Sequence, residues 1–215
     1  MLSHTSRLGA LGLAVSALLG SAGAAEAGLL SANSGGAIPA FTGTQLFDNT
    51  FSGFSVSANV DFAVFAPGAF GVAFPGQDPS GGADHVYAYQ IENLGSDISK
   101  LTVGLDGDEP LGAIGFISGA GLIDPSASLY VGAGPTSAAW DFDPGTLTSG
   151  TVNFILYESA ILFFTSAAAP ELDSATVAAA WSATHDLPSP LPEPATLSLL
   201  ALGAGFVCCG RRRRA

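Results

Sequence analysis

Phe54-Ser55-Val56-Ser57-Ala58-Asn59-Val60-Asp61-Phe62-Ala63-Val64 is the stretch that decides the fold. Phe54, Val56, Ala58, Val60, Phe62 and Val64 share one parity, and Ser55, Ser57, Asn59 and Asp61 share the other. A period of two with small or β-branched apolar residues describes a strand with one buried face. Phe65 breaks the polar parity, and Pro67-Gly68 then marks a turn.

Working outward, Val86 to Glu92 predicts a second strand, with Tyr87, Tyr89 and Ile91 on one face. After the loop Asn93-Leu94-Gly95-Ser96-Asp97, a further strand is expected over 98–105, aligning Leu101, Val103 and Leu105. Ala113 to Ile117, Ser128 to Val131, Ala138 to Phe142 and Thr151 to Phe164 follow, the last long enough to bend or break near Glu158-Ser159. Pro75-Gly76, Asp124-Pro125, Gly134-Pro135 and Asp143-Pro144-Gly145 supply turn chemistry between them. Ser174 to Thr184 is alanine-rich and is read as either a helix or a final strand followed by a loop.

Short strands at this spacing predict an all-β fold, a single antiparallel β-sandwich of Ig-like or jelly-roll-like kind. No block recurs as a tandem repeat. The expected organisation is a signal peptide over 1–27, an exported sandwich domain over 28–186, and a linker with a tail over 187–215. The linker Leu187 to Pro192, with three prolines, is expected to be extended and accessible.

At the amino end, Arg7 and the free amine form a positive region before the apolar run Leu8 to Leu19. Ala22-Gly23-Ala24 and Ala25-Glu26-Ala27 are small-residue cleavage sites, so removal is expected after Ala24 or Ala27. At the other end, Pro192-Glu193-Pro194 precedes an uncharged run from Ala195 to Gly210 and then Arg211-Arg212-Arg213-Arg214. As a helix that run covers about 24 Å, short of a hydrocarbon core of about 30 Å, and snorkelling by Arg211 or local thinning would let it span. The arginines orient that end to the cytoplasm and leave the body outside. The prolines either end the domain before an ordinary anchor or present an extended segment to a protease or transpeptidase.

Between Gly28 and Pro190 stand sixteen Asp and Glu against Lys100 alone, a formal charge of about −15. Such a body is repelled by nucleic acid and anionic lipid, which excludes binding to either through a basic patch. Cations such as calcium, and carbohydrate, are the better candidates for partners. Cys208 and Cys209 both lie in the tail, so the body has no disulfide and no thiolate site. They read as small apolar helix residues, with lipidation the alternative.

The motif Pro192-Glu193-Pro194, the apolar run and the arginine cluster, together with the signal peptide, resemble the PEP-CTERM family of exported bacterial proteins. The resemblance covers about a tenth of the chain. It implies recognition of the tail by an exosortase, after signal peptidase has acted at the amino end. It further implies transient anchoring in the inner membrane, then delivery to the cell surface or extracellular matrix. Tyr87 to Leu105, and Trp140 through Pro144-Gly145 to Val152 with Leu187-Pro188-Ser189-Pro190, also look like the bodies of many small proteins of that family. Those bodies bring no activity with them.

Candidate chemistry in the body is sparse. Asp106-Gly107-Asp108-Glu109 places carboxylates around a glycine, as a solvated acidic turn or as calcium ligands, although no EF-hand pattern surrounds it. Asp84-His85 and His185-Asp186 are the places where imidazole adjoins carboxylate, and both are expected in exposed loops. Gly115-Phe116-Ile117-Ser118-Gly119 misses a nucleophile elbow by one position. Asp141 and Asp143 point the same way on one strand and define no cleft. No catalytic residue, cofactor or metal is assigned, and a non-enzymatic protein is expected.

Tyr87, Tyr89, Tyr130, Trp140, Tyr157 and Trp181 are either a stacking platform for sugar rings or core and cross-strand pairs. The leading expectation is an exported structural or adhesive surface protein. The alternatives are a secreted polysaccharide-binding module or hydrolase, and a surface protein whose tail is never cut.

Overall fold

The computed structural model describes residues 29–51, 54–95, 97–107, 109–143, 147 and 157–192. Two short helices, α1 (Leu30–Asn33) and α2 (Phe70–Ala73), accompany eleven strands. These are β1 (Thr42–Phe51), β2 (Phe54–Phe65), β3 (His85–Asn93), β4 (Lys100–Gly104), β5 (Leu111–Ile117) and β6 (Ala127–Val131). They continue with β7 (Ser137–Asp141), β8 (Tyr157–Glu158), β9 (Ile161–Ser166), β10 (Pro170–Ala178) and β11 (Ser182–Pro190). One sheet runs β1-β2-β3-β9-β5, with β8 also paired to β3, and the other runs β11-β10-β4-β7-β6. Every pairing of named strands is antiparallel. From β3 to β6 successive strands alternate between the sheets.

The two sheets share one core. Val56, Ala58, Val60 and Val64 of β2 face it, as the alternation from Phe54 predicts, together with Tyr87, Tyr89 and Ile91 of β3. Leu101 and Val103 of β4, Ala138 and Trp140 of β7, and Ala175 and Val177 of β10 meet them from the second sheet. At its centre the Tyr87 and Phe164 rings stack with centroids 4.8 Å apart, and Trp140 stacks on Phe164 at 6.4 Å. The Trp140 indole N–H donates 2.8 Å to the Gly115 carbonyl, and the Tyr87 hydroxyl donates 3.0 Å to that of Ala168. Each buried polar tip is thereby satisfied on the far side of the aromatic body it belongs to.

The first sheet is covered on its other face as well. Ala63, Phe65, Val86, Ala88, Ile161 and Phe163 point outward from it, beneath Leu30 of α1 and Phe70 and Phe74 around α2. Phe65 leaves the polar parity of β2 for this reason: its ring meets Phe70 edge-on at 5.1 Å. Burying each such aromatic stabilises the fold by about 1.5–3 kcal/mol. The turn expected at Pro67-Gly68 is present, with Gly68 at φ 78°.

Three features depart from the sequence reading. β1 is an edge strand in which, among the side chains described, Phe47 is the buried apolar one, and ten register pairs with β2 hold it. Ser174 to Thr184 is not a helix. It forms parts of the β10–β11 hairpin, where Ala175 and Val177 fill the core and the Thr176 and Thr184 hydroxyls lie 3.1 Å apart across the strands. The β-branched Thr and Val residues suit this pleated, half-buried surface.

Leu187 to Pro190, placed above in an accessible linker, are the buried last residues of β11. Pro188 and Pro190 have no N–H to offer, and an edge strand tolerates that. The expected break near Glu158-Ser159 falls between β8 and β9. The signal peptide expected over 1–27, residues 151–156 and the expected tail from Glu193 onward, with Cys208, Cys209 and Arg211 to Arg214, lie outside the described residues.

Candidate functional site: the tail exit, the acidic turn and an outer cleft

β11 delivers the chain to the tail. Its last residue is Pro190, and the Leu191 N–H then donates 2.7 Å to the Ala169 carbonyl. Pro192, half-buried, is the first residue of the Pro-Glu-Pro motif and follows the sheet by two positions, while Glu193 and Pro194 lie outside the described residues. Among the described residues no helix is long and apolar enough to cross a membrane.

The acidic turn lies near Glu171 of β10. Glu109 is buried and its carboxylate brackets the turn, accepting from the Asp106 N–H at 2.5 Å and the Gly107 N–H at 2.8 Å. Gly107, at φ 89°, takes the left-handed conformation that aims its N–H at that carboxylate. Both Glu109 oxygens are thus engaged within the chain, which leaves the turn organised around backbone donors. Asp108 lies outside the described residues. Among the described residues no three His, Cys, Asp or Glu side chains are arranged to hold a metal. Glu171 of β10 has its carboxyl pushed up by partial desolvation and by the nearby Asp106, Asp173 and Glu109 charges.

His85 and His185 are in strands, where the sequence reading placed them in loops. His85 opens β3 opposite Ser166 of β9, and His185 of β11 meets the Phe47 ring edge-on at 5.3 Å. They belong to different sheets and form no pair. Ser118 follows edge strand β5 and donates 2.8 Å to Asp124. Asp141 is salt-bridged to Lys100 across the β4–β7 register at 2.9 Å.

Of the six aromatic candidates, Tyr87, Tyr89 and Trp140 are core residues. Burial pushes the Tyr87, Tyr89 and Tyr130 hydroxyls well up from their ordinary range. Tyr130 reaches toward the Gly112 carbonyl at 3.3 Å from across the sandwich edge. Tyr157 is half-buried on β8, and Trp181 is exposed at the tip of the last hairpin. No platform joins them.

An open cleft that sequence reasoning missed lies on the outer face of the first sheet. It has a volume of about 160 Å³ and is lined by Leu29, Ser31, Asp61, Gln90, Glu92 and Glu158. Asn59 donates 2.7 Å to Glu92, and Thr44 donates 2.5 Å to Asp61. Gln90, buried at its base, accepts from the Leu30 N–H at 2.7 Å and donates 3.0 Å to the Ser159 carbonyl. The carboxylates come from β2, β3 and β8, so only the strand order brings them together. The polar parity of β2, which includes Asp61, was the one available signal. Comparison with family models, with curated proteins and with solved structures finds no match for this chain.

Proposed function

We propose that this is an exported, non-catalytic surface or matrix protein of the PEP-CTERM kind. In this reading its folded body is carried to the outer surface by a signal peptide and a Pro-Glu-Pro sorting tail, and it acts there as a structural or adhesive component. The observation that carries the reading is the position of the tail. The sheet ends at Pro190 and the motif begins at Pro192, so motif and body are joined with almost no spacer. An exosortase acting there would release a complete β-rich body.

Internal placement of Tyr87, Tyr89 and Trp140 favours this reading over a polysaccharide-binding module or hydrolase, which needs aromatics displayed in a concave site. The body is taken as jelly-roll-like rather than Ig-like, because β3, β4, β5 and β6 alternate between the sheets. Its charge keeps it soluble and self-repelling once the arginines are removed.

The test is localisation of the full-length chain with and without Pro192-Glu193-Pro194. Retention of the deleted form in the inner membrane is expected; unchanged delivery to the surface would overturn the sorting role.

A further inference from the structure

Glu92 and Glu158 are directly opposed residues of the β3–β8 pairing. Like charges in that position repel, and Asp61 of β2 lines the same cleft. The groups facing Glu158 are Glu92 from β3 and Asp61 from β2, while Leu29 and Ser31 of the amino-terminal segment bring no charge. Among the described residues no Lys or Arg lines this cleft. Between Gly28 and Pro190 the one Lys or Arg is Lys100, and it is bonded to Asp141 on the other sheet.

Backbone bonds hold β8 against β3 at this register. The Ile123 N–H donates 2.9 Å to the Glu158 carbonyl, the Ser159 N–H donates 2.8 Å to that of Ile91, and the Ser159 hydroxyl accepts from the Ile91 N–H at 2.9 Å. Protonation of one carboxyl removes that repulsion. Asp61 and Glu92 each accept from a side-chain donor, Thr44 and Asn59. Among the described residues no donor serves the Glu158 carboxylate. Its carboxyl is accordingly pushed up, by desolvation first and then by Glu92 and Asp61.

We propose that Glu158 is a proton-controlled latch: protonated, it lets β8 lie against β3 without repulsion, and ionised, it loosens that pairing and the Ile123 loop bonded to it. The latch holds whether or not the tail sorts the protein. Its sign follows from the direction of the shift. A carboxyl raised in the folded chain contributes stability that is complete below its ordinary value of 4.5 and is lost as pH rises through the folded value.

Thermal unfolding of the full-length chain as a function of pH tests this, comparing wild type with Glu158→Gln and with Asp97→Asn as a charge-matched control on an exposed loop. At about pH 7 the Glu158→Gln protein is expected to melt higher than wild type by about 2 °C or more. That gain should disappear below pH 4.5, and Asp97→Asn should show no such pH-dependent gain. Equal curves for wild type and Glu158→Gln, or the same gain from Asp97→Asn, would overturn the proposal. Carboxyl NMR of the wild-type chain decides it independently of any variant. A Glu158 midpoint above 4.5 supports the latch, and one at or below that value overturns it.

Discussion

The Tyr89 hydroxyl donates a hydrogen bond to the Pro188 carbonyl, joining a central strand of one sheet to the edge strand of the other. Pro188 lies four positions before Pro192-Glu193-Pro194 begins, so a fully buried core residue anchors the chain just ahead of that motif. Tyr89→Phe keeps the ring and removes the donor, leaving a buried carbonyl unpaired. The expected loss is about 1–3 kcal/mol in denaturant unfolding. An unchanged midpoint would mean that β11 is held by its backbone pairing with β10 alone.

Trp140 combines stacking on Phe164 with its bond to the Gly115 carbonyl. Trp140→Ala is expected to cost about 3–5 kcal/mol. Trp140→Phe should cost less, because it retains apolar volume and loses mainly the bond. Equilibrium unfolding of both variants separates the two contributions.

The acidic turn depends on Glu109 accepting from two backbone N–H groups. Glu109→Gln leaves one of those donors facing an amide group and should destabilise the chain by about 1–3 kcal/mol. Calcium added to the wild-type protein should leave its melting temperature unchanged, because the carboxylate already serves the turn. A calcium-dependent rise in melting temperature would contradict that role.

Alkaline stability follows from the tyrosines. Tyr87, Tyr89 and Tyr130 have hydroxyls raised above the ordinary value of 10, chiefly by burial. The unfolded chain therefore releases these protons at lower pH than the folded one, and stability falls as pH rises above 10. Tyrosinate absorbance from these three should grow together with the loss of folded structure. Its appearance in a still-folded protein would show that water reaches them.

The inward face of the sandwich was legible where strands alternate: Val56 to Val64 and Tyr87, Tyr89 and Ile91 declare their parity. The outer face was not, because Val86 and Ala88 are covered by Phe70 and Phe74 from a separate segment, and no local period records that cover. β1 escaped because its apolar residues do not alternate, and Phe47 is the buried apolar anchor among its described side chains. The last hairpin was ambiguous because alanine suits a helix and, at Ala175 and Ala183, also fits a crowded sheet core. Asp61, Glu92 and Glu158 stand far apart in the chain, and only the β2-β3-β8 adjacency makes them one cleft.

Under the proposed function both ends are removed and a body ending close to Pro190 is displayed outside the cell. Mass spectrometry of the mature protein recovered from its host tests it most directly. The expected mature protein begins at Ala25 or Gly28 and ends at or near Pro192-Glu193-Pro194. A chain that still carries Arg211 to Arg214 and ends at Ala215 would contradict it.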